Sequence, residues 1–448
     1  MGIFDALTTA VSGLQAQSFA LQNISGNIAN SQTVGYKETD TAFDALVSQA
    51  ALGEQTSGGV FATSVASNGV QGTIQNETVT TDMAINGNGY FVVTQPTGNS
   101  GSTPQFSGVS DYTRRGDFKM DSNGYLVNGA GYYLMGIPVN AATGAATSSS
   151  PQVLQFNSNF LPAQSTTSID YAANLPSAPS TGVLTPSSYQ GTNPLDATSG
   201  GAGTVQGEDT TTFTNQSLDG GSVTAYDSLG NPVNVQFRWA ETASSGGSNS
   251  WQLFYQTDTS ATGTQVAWQN VGTTFTFNSS GQLTSPASSS VTLSGLAVNG
   301  DTVGNVTLNY GSNLTQFASS TGTVQVNSLT QNGFSAGSLQ SLSVAQGQVV
   351  GSFSNGQTVA LADVTVATFN GQDSLQSLNG EAFAATPESG NPNYSGSGTV
   401  VGSSLEASNV DIATQFSQLI VAQQAYSANA KVMTTANQMI QSLLTVIQ

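Results

Sequence analysis

The chain has 448 residues, no cysteine and no histidine; only 7% of its residues are charged, and its formal net charge is −19. These absences exclude disulfides, thiolate or imidazole metal sites, and Ser-His-Asp or Cys-His catalysis. The six basic residues, Lys37, Arg114, Arg115, Lys119, Arg238 and Lys431, make no basic stripe for a phosphate backbone or an anionic membrane surface.

Stepping alternately four and three residues from the N-terminus meets Ile3, Leu7, Ala10, Leu14, Gln17, Leu21, Ile24 and Ile28, all apolar except Gln17. The narrow seam predicts a helix of about 28 residues, roughly 42 Å long. Asn30 and then Gly35 are its expected stops. No basic n-region or apolar h-region opens the chain, so no cleaved signal is expected. No apolar run reaches the roughly 18 residues of a spanning helix.

Between the ends the pattern changes to alternation. Strands are expected near 90–93, 117–120, 125–127, 233–239, 251–255, 275–277 and 306–310, and another alternating stretch covers 359–369. Asn123-Gly124 predicts a hairpin turn between two of them. The stretch 141–151 reads as a linker, and 176–207 as a linker or a long loop.

The second seam runs through Ile412, Phe416, Leu419, Gln423, Tyr426, Ala430, Met433, Asn437, Ile440, Leu444 and Ile447. It predicts a helix of about 38 residues, roughly 57 Å. Ser408 and Asp411 have the spacing of a capping box. Neither helix can bury its stripe alone. Spacing leaves two readings open: a stalk that closes on itself, or a device for polymerisation.

Several motifs resemble one family in its order from end to end. They are SGL at 12–14, NISGNIAN at 23–30, TVGYK at 33–37, DMAINGNGYF at 82–91, YTRRGDF at 112–118, LEASNVD at 405–411 and QQAYSANAK at 423–431. Together they resemble the flagellar rod, hook and hook-associated axial proteins. DYAANL at 170–175 and AYDSLGNP at 225–232 are similar to the large outer domain of the hook members. NSLTQNGF at 327–334 and SNGQT at 354–358 are similar to their return into the inner domain. A distal rod subunit is the alternative within the family.

The resemblance implies an α+β multidomain protein. Long terminal helices would form a coiled-coil-like stalk, with mainly antiparallel β domains between them. It implies a helical core at 1–30 and 406–448 and a linking region at 31–80 and 370–405. An inner β domain would occupy 81–150 and 310–369, and an outer β domain 151–309. It implies a structural subunit that self-assembles into a tubular, flexible joint passing torque from rod to filament, with no cofactor. The expected partners are copies of the chain, rod and hook–filament junction proteins, the hook cap and the type III export apparatus, with no nucleic acid and no membrane insertion. The expected place is outside the cell, at the flagellar hook and basal body. The family motif falls on Asn27, Asn30, Gly35, Tyr36, Asn409 and Asp411. On the charged hairpin, Arg114, Arg115 and Lys119 are expected on a solvated face, or paired with acids of another subunit.

Two other classes compete with this one. A β-rich glycosidase or lyase could use paired carboxylates such as Asp111 and Asp117. Gly333-Phe334-Ser335-Ala336-Gly337 has the form of a nucleophile elbow but no histidine to serve it. An adhesin fits the β-rich middle, yet needs no matching helices at both ends.

Overall fold

In the computed structural model the described residues are 3–46, 58–101, 103–106, 108–141, 143–156, 160–190, 193–195, 203–245, 248–395 and 398–447. The side chains of Ile3 and Ile447, both seam positions, lie outside the described set. The chain divides into two units. The first comprises Met1–Asn159, Leu339–Ser352 and Thr358–Gln448; the second comprises Phe160–Ser338 and Phe353–Gln357.

In the first unit the N-terminal helix, Ile3–Ala29, and the C-terminal helix, Ile412–Ile447, form where the seams predict them. Asn30 stops the first: its Nδ2 donates to the Gly26 carbonyl at 3.0 Å. Gly35 then turns the chain with φ of +73°, a conformation that a Cβ disfavours. At the second helix the cap differs from the expected box. Asp411 is the residue before the helix and its Oδ1 accepts from Thr414 N at 3.0 Å, whereas Ser408 Oγ accepts from Val410 N. The helices pack antiparallel, for Gly13 lies beside Asn429 and Asn27 beside Gln415.

The antiparallel strands Thr39–Ala45 and Val60–Ala66 lie along the N-terminal helix. Asn23 Nδ2 donates to Thr41 Oγ1 at 2.9 Å and to Ser64 Oγ at 3.2 Å, and Val60 N donates to Ser12 Oγ at 3.1 Å. The segment expected as a link therefore carries strands. The unit's main sheet is antiparallel. Its path runs through Gln348–Phe353, Thr358–Val364, Tyr133–Pro138, Tyr90–Thr94, Asp111–Thr113, Ala382–Ala384 and Gln376–Ser377. Alternation along Tyr90–Thr94 sends Phe91 and Val93 into one core cluster and Tyr90 and Val92 into another, so the sheet is covered on both faces. The hairpin at Asn123-Gly124 forms, pairing Lys119–Met120 with Leu126–Val127.

The second unit holds two sheets around one core. One has the path Thr204–Gln206, Val266–Phe277, Ser248–Gln256, Pro232–Ser245 and Leu218–Tyr226, all antiparallel. In the other, Ser168–Pro176 runs parallel to Asp301–Asn309 and Leu314–Phe317 and antiparallel to Gln325–Gln331. Trp239, Trp251, Phe275, Tyr171 and Leu308 fill the space between them. Tyr171 OH accepts from Trp239 Nε1 at 2.9 Å and donates to the Gly220 carbonyl at 2.7 Å, which satisfies both buried polar tips.

Two expectations need adjusting. Leu314–Phe317 and Gln325–Gln331 pair with Ser168–Pro176, so they belong to the second unit rather than to the domain anticipated at 310–369. The Gly/Ser-rich stretch is more than a linker. Leu184 and Val205 are buried with Phe213, Phe254 and Trp268, and Tyr189 and Leu195 pack against them.

Candidate functional site

The helix pair presents a closed stripe and open flanks. On the N-terminal helix the buried positions are Ala10, Gly13, Ala16, Ala20, Ile24 and Asn27. On the C-terminal helix they are Gln415, Ala422 and Ala436, with Leu419, Ala425, Asn429, Met433 and Ile440 half-buried. Small residues let the two backbones approach closely, so the intrachain contact is made mostly by alanine and glycine. The predicted seam is therefore only partly the packed stripe. Ile24 is buried in it; Leu7, Leu14, Leu21 and Ile28 are half-buried at its border. Ile412, Phe416, Tyr426 and Leu444 are exposed, at 43, 50, 42 and 60%. Ile420, Val421, Val432 and Met439 are also exposed on the C-terminal helix.

At its lower end the pair rests on a polar node. Asn27 Nδ2 donates to the Thr39 carbonyl at 3.0 Å and to Gln415 Oε1 at 3.2 Å. Asn27 Oδ1 accepts from Tyr36 OH at 3.1 Å and from Thr39 N at 3.0 Å. Gln415 Nε2 donates to Glu38 Oε1, and Asn409 Oδ1 accepts from Glu38 N at 2.7 Å. Asn409 Nδ2 donates to Ser67 Oγ and the Val70 carbonyl. Burial raises the pKa of Tyr36, and burial followed by the Asp40 carboxylate raises that of Glu38. Asn27, Tyr36 and Asn409 thus meet in one place, with Asn30 and Gly35 at the helix stop and Asp411 at the cap. Gln415 and Glu38 complete the node and were not singled out in the sequence.

A second buried cluster joins Lys37, Arg114 and Glu406. Arg114 is 1% exposed and does not sit on the expected solvated face. Arg115 pairs with Asp117 at 2.8 Å and Glu381 at 3.0 Å within the chain, while Lys119 is exposed. Each member of the cluster stands inside a motif already noted. Three charges placed in motifs of so charge-poor a chain were the available signal.

The enzyme candidates do not converge on a site. Asp117 is held by Arg115, and Asp111 is half-buried at a strand start, its pKa raised by burial. Among the described residues no three His, Cys, Asp or Glu side chains are placed to hold a metal ion, and no helix is long and apolar enough to cross a membrane.

The chain matches four described families: Flagella basal body rod protein at 7–37, Flagellar hook protein FlgE/F/G D1 domain at 84–157, Flagellar basal body protein FlaE D2 domain at 189–334, and Flagellar basal body rod FlgEFG protein C-terminal at 401–446. Matches at both ends and in both units define a structural protein of the flagellar axis. Full-length relatives narrow this. The chain is 30% identical to the flagellar hook protein FlgE of Brucella abortus biovar 1, over 99% of each chain. It is 29% identical to that of Escherichia coli K12, over 98% of this chain and 99% of the other, and 28% identical to that of Caulobacter vibrioides, over 100% of both. A solved Helicobacter pylori flagellar hook protein FlgE2 is similar over 74% of this chain and all of that one, at 15% identity and a TM-score of 0.49. The chain belongs to the flagellar hook protein FlgE family, whose members are structural subunits of the hook.

Proposed function

We propose that the subunit polymerises through its terminal helices into a tubular, flexible joint that passes motor torque from rod to filament. The observation that carries this reading is the helix pair. It closes on itself through small residues and leaves large apolar side chains, Phe416, Tyr426 and Leu444 among them, exposed along its flank. An isolated stalk gains nothing from such a flank. A helical array with head-to-tail contacts buries it on the next copy, giving the coiled-coil-like core of the tube. Under this reading Leu7, Leu14, Leu21, Ile28, Ile412, Leu419, Met433 and Ile440 lie where intrachain and intersubunit contacts meet. The node around Asn27 sets the angle at which the helices leave the β units. In this reading the terminal helices form the centre of the tube.

Other flagellar parts fit the same reading. The partners are rod and hook–filament junction proteins, the hook cap and the type III export apparatus, with export outside the cell. Catalysis has no place in it. Immunogold electron microscopy on flagella isolated with basal bodies tests the proposal, using antibody against residues 160–338. Label along the short curved segment outside the cell is expected. Label confined to the basal body would assign the subunit to the rod, and label elsewhere on the cell would reopen the adhesin reading.

A further inference from the structure

Two cations from distant parts of the chain are buried against one carboxylate. Lys37 Nζ donates to Glu406 Oε1 at 2.5 Å, and Arg114 Nη1 donates to Glu406 Oε2 at 3.0 Å. All three side chains are at most 2% exposed. Gly72 N also donates to Glu406 Oε1, at 2.9 Å, and the Glu406 carbonyl accepts from Gly35 N at 2.8 Å. Residues 35–37, residues 70–72, the Arg114 strand end and the C-terminal strand Ser404–Glu406 therefore converge on a single acid.

Other donors of the cations go to neutral oxygens, and Arg114 Nε finds no hydrogen-bond partner among the described residues. Lys37 Nζ donates to the Val70 carbonyl, and Arg114 donates to the carbonyls of Ile85 and Gly87. Carbonyl dipoles solvate a cation but do not neutralise it. Closing these segments without Glu406 would bury two cationic side chains with no counter-charge, which is strongly unfavourable.

We infer that Glu406 is a closing acid: the N-terminal segment docks on the Arg114-bearing sheet only when the C-terminal strand delivers this carboxylate, so the two ends order together. The coupling is reciprocal, since a contact that holds one end through the other holds both. Completion of the first unit is thereby tied to arrival of residues near the far end of the chain.

Amide hydrogen exchange on the full chain tests it, comparing the wild type with E406Q and with K37M/R114M/E406Q. Glutamine keeps the size and an acceptor for Gly72 N but removes the charge. In E406Q the amides of Gly35, Gly72 and Gln75 are expected to exchange about tenfold faster or more, while Pro232–Ser245 and Ser248–Gln256 in the second unit keep their rates. The triple variant, with no charge left to bury, regains protection at Gly35 and Gly72. Wild-type exchange in E406Q would overturn the inference. So would loss of protection that the triple variant fails to restore, or loss that extends through the second unit.

Discussion

Asn27 on the N-terminal helix donates to Gln415 on the C-terminal helix, 388 residues away in sequence, and both side chains are buried. The same asparagine also serves Tyr36 and Thr39, so one side chain sets the register of the helix pair against the strand that follows it. Replacing Asn27 by Ala strands several buried polar groups at once. Unsatisfied groups cost about 1–3 kcal/mol each. Denaturant unfolding of N27A is expected to show a loss of at least about 2 kcal/mol in the first unit. An unchanged midpoint would mean that water replaces the asparagine at no cost.

Two glycines of the same motif region should respond in opposite directions. A Cβ on Gly26 meets nothing within 4 Å, so G26A is expected to stabilise the helix by about 0.5–1 kcal/mol. Gly35 has φ of +73°, and its Cβ would lie 2.7 Å from the Arg115 backbone nitrogen. G35A should cost about 2 kcal/mol or more. Thermal unfolding of the two variants side by side checks both signs.

Asp82 gives a pH dependence with a definite sign. It is 4% exposed and its Oδ1 has no hydrogen-bond partner among the described residues. Burial raises its pKa above 3.8, and the carboxylates of Asp117 and Glu77 raise it further against the opposing pull of Lys119. A group raised in the folded state stabilises fully below its unfolded pKa and loses that contribution as pH climbs through the folded value. The wild type is therefore expected to lose stability relative to D82N as pH rises above about 4. Equal pH profiles for the two proteins would remove this account of Asp82.

Legibility in the sequence followed the physics of each feature. Both terminal helices could be read because a period near 3.5 persists over many turns. The face that packs within the chain could not, because Leu and Ile dominate the apolar period while Gly13, Ala16 and Ala20 make the contact. Small residues on a shared face were the signal for that close approach. Strands with strong alternation, such as Pro232–Ser245 and Ser248–Gln256, stood out from their aromatic and β-branched residues. Ser168–Pro176, central to its sheet, carries a family motif but is not among the expected strands. Its parallel neighbours come from far along the chain, and local pattern carries no record of them. The Glu406 cluster likewise needed three dimensions, since each charge sits alone in sequence.

On the proposed function, the exposed flank of the C-terminal helix is an intersubunit surface. The most direct measurement is the critical concentration for polymerisation of the purified full chain and its F416S/L444S variant, with monomer unfolding followed in parallel. Exposed positions contribute little to the folded monomer, so its stability should change by no more than about 0.5 kcal/mol. Each large apolar side chain buried on a neighbour contributes roughly 1–2 kcal/mol, so the critical concentration should rise about tenfold or more. Polymerisation of the variant at the wild-type critical concentration, with the monomer equally stable, would show that this flank is not an intersubunit surface.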